Sequence, residues 1–224
     1  MKPVDFDDYV DQYDALLRKE TSFFSEDDTY FAQYKVKIAR RLVGSQPTHV
    51  LEFGCGIGRN IPYLQENFPS AVIHGSDVSG KSLDMARQFN PGVHFYREDG
   101  SVRVFSRYDF IFVAGVMHHV RPEGRNEVLC AIRERLKPDG KMVIFEHNPY
   151  NPFTRRIVTN CPYDAGAILL SPKELSHRLC ACGFKVVTKG YALFFPNRLR
   201  ALARLDRFLK CVPLGGQYYI LASA

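Results

Sequence analysis

The stretch that decides the fold is Val50-Leu51-Glu52-Phe53-Gly54-Cys55-Gly56-Ile57-Gly58-Arg59-Asn60. An apolar run enters a loop with glycine at every second position, which predicts a buried strand that turns sharply into a helix. Glycine lets the backbone leave the strand and approach a ligand closely. A nicotinamide-dinucleotide fingerprint would place a third glycine at Arg59. The pattern therefore disfavours a dehydrogenase and favours a smaller ligand with a charged amino-acid end.

Short apolar runs alternate with helical segments along the rest of the chain. The predicted strands are 49–53, 71–76, 93–96, 108–113, 141–146, 184–187 and 218–222. Amphipathic helices are predicted at 30–43, 79–89, 123–136, 171–183 and 197–210. Alternation of strands with helices predicts an α/β fold in which helices cover both faces of a mostly parallel, seven-stranded sheet.

Acidic side chains follow the first strands of this sheet. Glu52 precedes the glycine loop, Asp77 closes the second strand, and Asp99 and Gly100 close the third. Ligands bind at the carboxyl ends of strands in open parallel sheets. A carboxylate at Asp77 is suited to accept from ribose hydroxyls, and one at Asp99 from an adenine amine. The alternative is that both acids cap helices.

These motifs, in this order, resemble the class I S-adenosylmethionine-dependent methyltransferases over nearly the whole chain. The L-K-P-D-G sequence at 136–140, before the fifth strand, is especially typical of that family. The resemblance implies a Rossmann-like sheet whose last strand is antiparallel, S-adenosylmethionine as cofactor and S-adenosylhomocysteine as product. It also implies a set of cofactor-binding residues: Glu52, Gly54, Cys55, Gly56, Gly58, Asn60, Asp77, Val78, Asp99, Gly100, Ala114 and Gly115.

The segment Val116-Met117-His118-His119-Val120, after the fourth strand, is similar to the ubiquinone- and menaquinone-biosynthesis methyltransferases. This resemblance implies an enzyme acting on a small molecule, including an apolar or lipid-linked one. If the acceptor arrives protonated, a histidine is suited to take the proton. The candidates for this catalytic role are His119 first, then His118 and His147. The alternative is that these histidines are packed wall residues. No spacing predicts a metal site.

Two segments are expected to close the site. Residues 1–46 are predicted to form a helical cap, and residues 47–224 the methyltransferase domain. A lid-like insertion is predicted at about 148–170, and its first part, to about residue 162, is expected to be irregular. The aromatic and basic residues that would line the acceptor side are Tyr13, Tyr34, Tyr150, Arg155, Arg156 and Tyr163. The alternatives are a surface loop held by prolines and ordinary helix packing.

Charge and cysteine content bear on partners and location. The net charge is +6, but residues 1–28 hold nine acidic and three basic residues, so the remaining body is strongly basic. The basic helix predicted at 197–210 suggests peripheral contact with an anionic membrane. A nucleic-acid partner is disfavoured because no base-stacking motif is present. The six cysteines form no C-x-x-C pair, and no signal peptide or membrane span is recognised, so we expect a reduced, cytoplasmic protein.

Other functions and the oligomeric state stay open at this point. A methyltransferase-fold binding module without activity, and an RNA methyltransferase, are alternatives to a small-molecule enzyme. Intact Glu52, Asp77 and Asp99 fit all three functions. Turnover and the salt dependence of RNA binding would separate them.

Overall fold

The computed structural model describes residues 29–99, 107–195, 197, 202 and 205–224. Its strands are β1 (His49–Phe53), β2 (Val72–Asp77), β3 (His94–Arg97), β4 (Tyr108–Ala114), β5 (Leu136–His147), β6 (Lys185–Ala192) and β7 (Gln217–Ser223). Its helices are α1 (Thr29–Val43), α2 (Ile61–Asn67), α3 (Gly80–Phe89), α4 (Arg125–Glu134), α5 (Pro152–Asn160), α6 (Pro172–Ala181) and α7 (Asp206–Leu209). A 3₁₀ helix spans Pro162–Asp164.

The strands form one sheet in the order β3-β2-β1-β4-β5-β7-β6. The pairs among β1 to β5 are parallel, whereas β7 is antiparallel to both β5 and β6. The predicted seven-stranded fold with an antiparallel last strand is therefore confirmed. Because β1 has β2 on one side and β4 on the other, the strand order reverses at β1. Such a reversal opens a crevice at the carboxyl ends of the strands.

Both faces of the sheet are buried, because successive residues of a strand point to opposite sides. On one face, Phe110 and Phe112 of β4 pack in a cluster that includes Val36 of α1. On the other face, Ile111 and Val113 pack with buried residues of α4 and α6. The layered arrangement explains why the strands read as nearly continuous apolar runs rather than as alternating ones.

The segment 148–162 corrects the sequence analysis, which predicted an irregular stretch there. Residues Pro152–Asn160 form α5, and the side chain of Asn151 accepts a hydrogen bond from the Thr154 N–H at 3.0 Å. An Asn-Pro pair is typical of a turn, but it is equally an N-cap followed by a proline in the first helical position. The Asn151-Pro152 pair is therefore compatible with either a turn or the start of a helix, and in the structure it starts a helix.

The expectation of fully reduced cysteines is also wrong. Cys130 of α4 and Cys182, just after α6, form a disulfide with their Cα atoms 5.0 Å apart. The two residues are 52 positions apart, and only the packing of α4 against α6 brings them together. No short-range cysteine spacing could have indicated this pair.

Two predictions fall partly outside the described residues. Residues 1–28, with Tyr13, and residues 198–201, 203 and 204 of the basic segment lie outside them. Within the described part of that segment, helix spans Asp206–Leu209, and Phe208 is exposed. Contact with a membrane surface stays a prediction. None of the described helices is both long enough and apolar enough to span a bilayer.

Candidate active site

A cavity of about 340 Å³ lies at the carboxyl ends of β1, β2 and β4, where the strand order reverses. This volume is within the range of about 300–1,000 Å³ that small-molecule sites occupy. Eight of the predicted cofactor-binding residues line it: Gly54, Cys55, Gly56, Asn60, Asp77, Val78, Ala114 and Gly115. The sheet therefore brings together residues from three strand ends around one cavity.

Two glycines of the loop, Gly54 and Gly58, are required by their surroundings in the structure. Gly54 has a φ of 70°, and a Cβ atom there would collide with Val116. Gly58 does not line the cavity, because it packs against α3. The side-chain amide of Asn90 donates to the Gly58 carbonyl at 3.3 Å, and it occupies the space that a Cβ would need. Gly54 thus keeps the loop close to the cavity, and Gly58 seats it on α3.

Glu52 is buried at the end of β1, behind the glycine loop. Its Oε1 accepts from Asn60 Nδ2 at 2.6 Å, whereas its Oε2 has no hydrogen-bond partner among the described residues. Burial raises the pKa of Glu52 to about 8, against the opposing effects of Asn60 and Lys35. A buried carboxylate oxygen without a partner is costly, and a cationic ligand group would satisfy it.

Lys35, on α1, contributes a cation to the same cavity. Burial lowers the pKa of Lys35 to about 8, although the neighbouring Glu52 acts in the opposite direction. Lys35 lines the cavity, whereas Glu52 lies buried behind the loop and is not one of the lining residues. Lys35 fits the α-carboxylate group of S-adenosylmethionine, and the unpartnered oxygen of Glu52 fits the α-ammonium group once Glu52 has lost its proton.

Asp77 lies at the end of β2 and lines the cavity. Its Oδ2 accepts from the Gly56 N–H at 2.8 Å and its Oδ1 from the Ser79 N–H at 2.9 Å. Burial raises the pKa of Asp77, and these backbone donors oppose the shift. The carboxylate thus fixes the glycine loop against the start of α3. Its role in ribose binding stays a prediction.

The acidic residue that lines the cavity after β3 is Glu98, not Asp99. Glu98 Oε2 accepts from the Arg135 guanidinium at 2.7 Å, and Asp99 pairs with Arg97 at 3.7 Å. Gly100 lies outside the described residues. The sequence analysis missed Glu98 because the Asp-Gly pair is the more conspicuous turn signal.

The three candidate histidines lie close together, but only His119 lines the cavity. The rings of His118 and His119 are 4.1 Å apart between centroids, and those of His118 and His147 are 4.8 Å apart. His118 Nδ1 lies 2.7 Å from Glu146 Oε2, and both residues are buried. His118 is thus a buried partner of Glu146 at the edge of the site.

Burial and neighbouring charges raise the pKa of His118 and lower the pKa values of His119 and His147. Burial alone would lower the pKa of His118, but Glu146 and Asp164 together raise it to about 9. Burial and the nearby His118 lower the pKa of His119 to about 3. The same two causes lower the pKa of His147 to about 4. His118 is therefore the protonated member of the group in the absence of a ligand, and His119 is neutral.

The lid-like insertion contributes one predicted residue to the cavity wall, Tyr163. Its ring meets the His119 ring edge-on, with centroids 5.5 Å apart. The other predicted acceptor-side residues within the described part of the chain do not line the cavity: Tyr34, Tyr150, Arg155 and Arg156. The Tyr34 hydroxyl donates to the Asp206 carboxylate, and the other three side chains are exposed.

Two further residues of the site were missed from the sequence. Phe31 and Lys35 of α1 line the cavity, and four residues of spacing place them on one helix face. The four-residue spacing of Phe31 and Lys35 can be seen in the sequence. It does not show whether the inner face of an amphipathic helix packs on the core or lines a site.

Comparison with known proteins agrees with this geometry. Residues 50–140, from β1 into β5, match a family described as a methyltransferase domain. This match spans 91 of the 224 residues of the chain. The resemblance to class I methyltransferases seen in the sequence is confirmed by this family match and by the shared fold.

The chain is similar to proteins of known sequence and of known structure. Trans-aconitate 2-methyltransferase from Azoarcus sp. (strain BH72) is 28% identical over 153 residues, which are 65% of this chain and 59% of that protein. A SAM-dependent methyltransferase structure from Archaeoglobus fulgidus has a TM-score of 0.68 at 18% identity, covering 95% of this chain and 100% of that one.

A further structural relative was determined with its cofactor. Magnesium protoporphyrin IX methyltransferase from Synechocystis PCC 6803, with bound SAM, has a TM-score of 0.64 at 17% identity and covers 98% of this chain and 97% of that one. The first curated sequence relatives are matched over between 25% and 59% of their length. The chain therefore spans less than two thirds of the length of these sequence relatives, and the structural relatives share its fold.

Proposed function

We propose that this methyltransferase domain transfers a methyl group from S-adenosylmethionine to a small-molecule acceptor that enters the cavity beside His119. The observation that supports this most is the meeting of the glycine loop, Asp77 and His119 around one cavity. When bound, S-adenosylmethionine supplies a methyl group on a sulfonium that is already activated for displacement. The chain's own residues have to bind and align the reactants, which accounts for about 7–11 kcal/mol in well-oriented reactions.

We assign the cofactor half of the cavity to the ends of β1 and β2. Glu52 would accept from the α-ammonium group, Lys35 would pair with the α-carboxylate, and Asp77 would accept from the ribose hydroxyls. The backbone at Ala114 and Gly115 would flank the sulfonium. Glu98 or Asp99 would accept from the adenine amine, and the cavity position favours Glu98.

We assign the acceptor half to the side of the cavity formed after β4. Val116, Val120 and Val128 give this wall an apolar character, and His119 and Tyr163 add polar groups. Such walls suit a small, partly apolar acceptor that presents one polar nucleophile. We assign contact with the acceptor to His119, because it is the one of the three histidines that lines the cavity.

The first test is calorimetric titration of the full chain with S-adenosylmethionine, S-adenosylhomocysteine and NADH. We expect micromolar affinity for the two sulfur compounds and none for NADH. Asp77→Ala should weaken S-adenosylhomocysteine binding by about 1–3 kcal/mol, because buried donors lose their acceptor. Asp84→Ala, on the exposed face of α3, is the control and should bind normally. Unchanged affinity in Asp77→Ala would remove the assigned role.

The second test is transfer of a labelled methyl group to a panel of quinols, phenols and carboxylic acids. The carboxylic acids are included because trans-aconitate is the acceptor named for one relative. His119→Ala should lower kcat while cofactor affinity is kept, because His119 lines the acceptor half of the cavity and not the cofactor half. His177→Ala, exposed on α6, is the control. Cofactor binding without turnover on any acceptor would favour a binding module instead, and salt-sensitive binding of RNA with RNA methylation would favour the nucleic-acid alternative.

A further inference from the structure

Three side chains beside the acceptor half of the cavity present their ligand atoms to one point. His118 and His119 follow β4, and Asp164 ends the 3₁₀ helix of the lid-like insertion. The Asp164 Oδ1 atom lies 3.5 Å from His118 Nε2 and 3.4 Å from His119 Nε2. One ligand atom from each of the three residues lies within 4.8 Å of the others. The fold creates this cluster, since nothing in the sequence spacing indicated it.

The two histidine-to-aspartate distances are compatible with ligand atoms around one metal ion. Zinc lies about 2.0–2.2 Å from nitrogen and carboxylate oxygen ligands, so two tetrahedral ligand atoms are about 3.3 Å apart. The two histidine-to-aspartate distances of 3.4 and 3.5 Å match this spacing. Both exceed the usual length of a nitrogen–oxygen hydrogen bond, about 2.7–3.2 Å.

His118 also has the support that metal-binding histidines usually have. Its Nδ1 lies 2.7 Å from Glu146 Oε2. Glu146 is itself held, because its Oε1 accepts from the backbone N–H groups of Val116 and Met117 at 3.0 and 2.6 Å. A carboxylate on one ring nitrogen fixes the ring and directs the other nitrogen outward to the metal. In this case the other nitrogen, Nε2, faces Asp164.

We propose that His118, His119 and Asp164 bind a divalent transition-metal ion at the edge of the cavity. Two imidazoles and one carboxylate suit zinc, iron or cobalt, and such a set leaves coordination positions open. Because His119 and Tyr163 line the cavity, the open positions face the acceptor half. An oxygen atom of the acceptor would complete the coordination, which narrows the acceptor to a phenol, enol or carboxylic acid. This last step rests on the proposed function, whereas the metal site does not.

The test is metal binding by the full-length chain after it has been stripped with a chelator. We expect one equivalent of Zn²⁺ or Co²⁺, with the visible absorption of Co²⁺ bound to nitrogen and oxygen ligands. His118→Ala and Asp164→Asn should each weaken binding at least tenfold. Glu146→Gln should weaken it by about 10–100-fold through loss of the support to His118. A cooperative thermal unfolding transition in each variant will show that any loss of metal binding is not caused by loss of the fold.

His177→Ala is the matched control, because His177 and Cys180 are exposed on one face of α6 and offer an adventitious site. This variant should bind one equivalent normally. The proposal is overturned if wild-type protein binds neither metal, if His118→Ala and Asp164→Asn bind as wild type does, or if His177→Ala loses the ion. Calorimetry with S-adenosylhomocysteine in the same samples separates the two proposals. Metal binding without cofactor binding contradicts the proposed function alone, and cofactor binding without metal binding contradicts the metal site alone.

Discussion

At the scale of single residues, the site contains two side chains, Glu52 and Lys35, whose pKa values are shifted by burial towards the neutral form. Glu52 is buried beside the cavity with one oxygen unpartnered among the described residues, and Lys35 brings a cation into the cavity itself. These arrangements destabilise the free protein and suit a ligand that carries both charges. Because burial shifts the pKa of Glu52, the contribution of this residue to the free energy of unfolding should change with pH.

Glu52→Gln is expected to gain stability relative to wild type as pH rises. The folded-state pKa of Glu52 is about 8, above its ordinary value of 4.5, so between these values the folded chain holds a proton that the unfolded chain releases. Stability from this group is therefore lost as pH rises through that window, and glutamine does not lose it. Thermal unfolding at about pH 5 and about pH 8 tests this. The exposed Glu66→Gln is the control, and a difference from wild type that is the same at both pH values would contradict the prediction.

At the scale of elements, a local signal marks where three of the described helices begin. Ser79 and Ser171 each accept a hydrogen bond from the N–H three residues later, at 3.0 and 3.1 Å. The helix predicted at 171–183 begins at Ser171. Asn151 does the same for α5, where the sequence analysis expected a loop. The signal was present in all three places, and only its interpretation differed.

Ser171→Ala should lower the free energy of unfolding by about 1 kcal/mol, because the Glu174 N–H loses its acceptor at the start of α6. In a chain of this size the melting temperature should fall by about 2–4 °C. Ser176→Ala, within the same helix, removes a hydroxyl that bonds only to the Pro172 carbonyl and should change stability little. If the two variants melt together, the cap contributes nothing measurable.

At the scale of the whole molecule, long-range contacts tie the lid-like insertion and α6 to the sheet. Arg125 is buried at the start of α4, and its Nε donates to the Met117 and Val120 carbonyls at 3.1 and 3.0 Å. Its other nitrogens reach the Ile168 carbonyl and the Glu174 carboxylate. Sequence analysis had no reason to select this arginine, because its partners are distant in the chain. It helps to hold the segment that carries His118 and His119.

The disulfide between Cys130 and Cys182 acts at the same scale. Closing a loop of this length stabilises a folded chain by up to about 4 kcal/mol in the chain-entropy description. We therefore expect the Cys130→Ser, Cys182→Ser double variant to melt several degrees below wild type under non-reducing conditions. A thiol titration of the denatured, unreduced chain should find the four free cysteines and no more. Six reactive thiols, with no change in melting temperature in the double variant, would refute the bond.

The sequence by itself determined the order of the elements, the glycine loop and the ligand-binding end of the sheet. These features are encoded locally, since strand and helix periodicity, glycine spacing and the acids at strand ends are all short-range patterns. The tertiary structure alone decided that Glu98 rather than Asp99 lines the cavity, that Lys35 enters it, and that Asp164 meets His118 and His119. The physical reason is that these contacts join segments far apart in the chain, and their geometry depends on how the helices pack on the sheet.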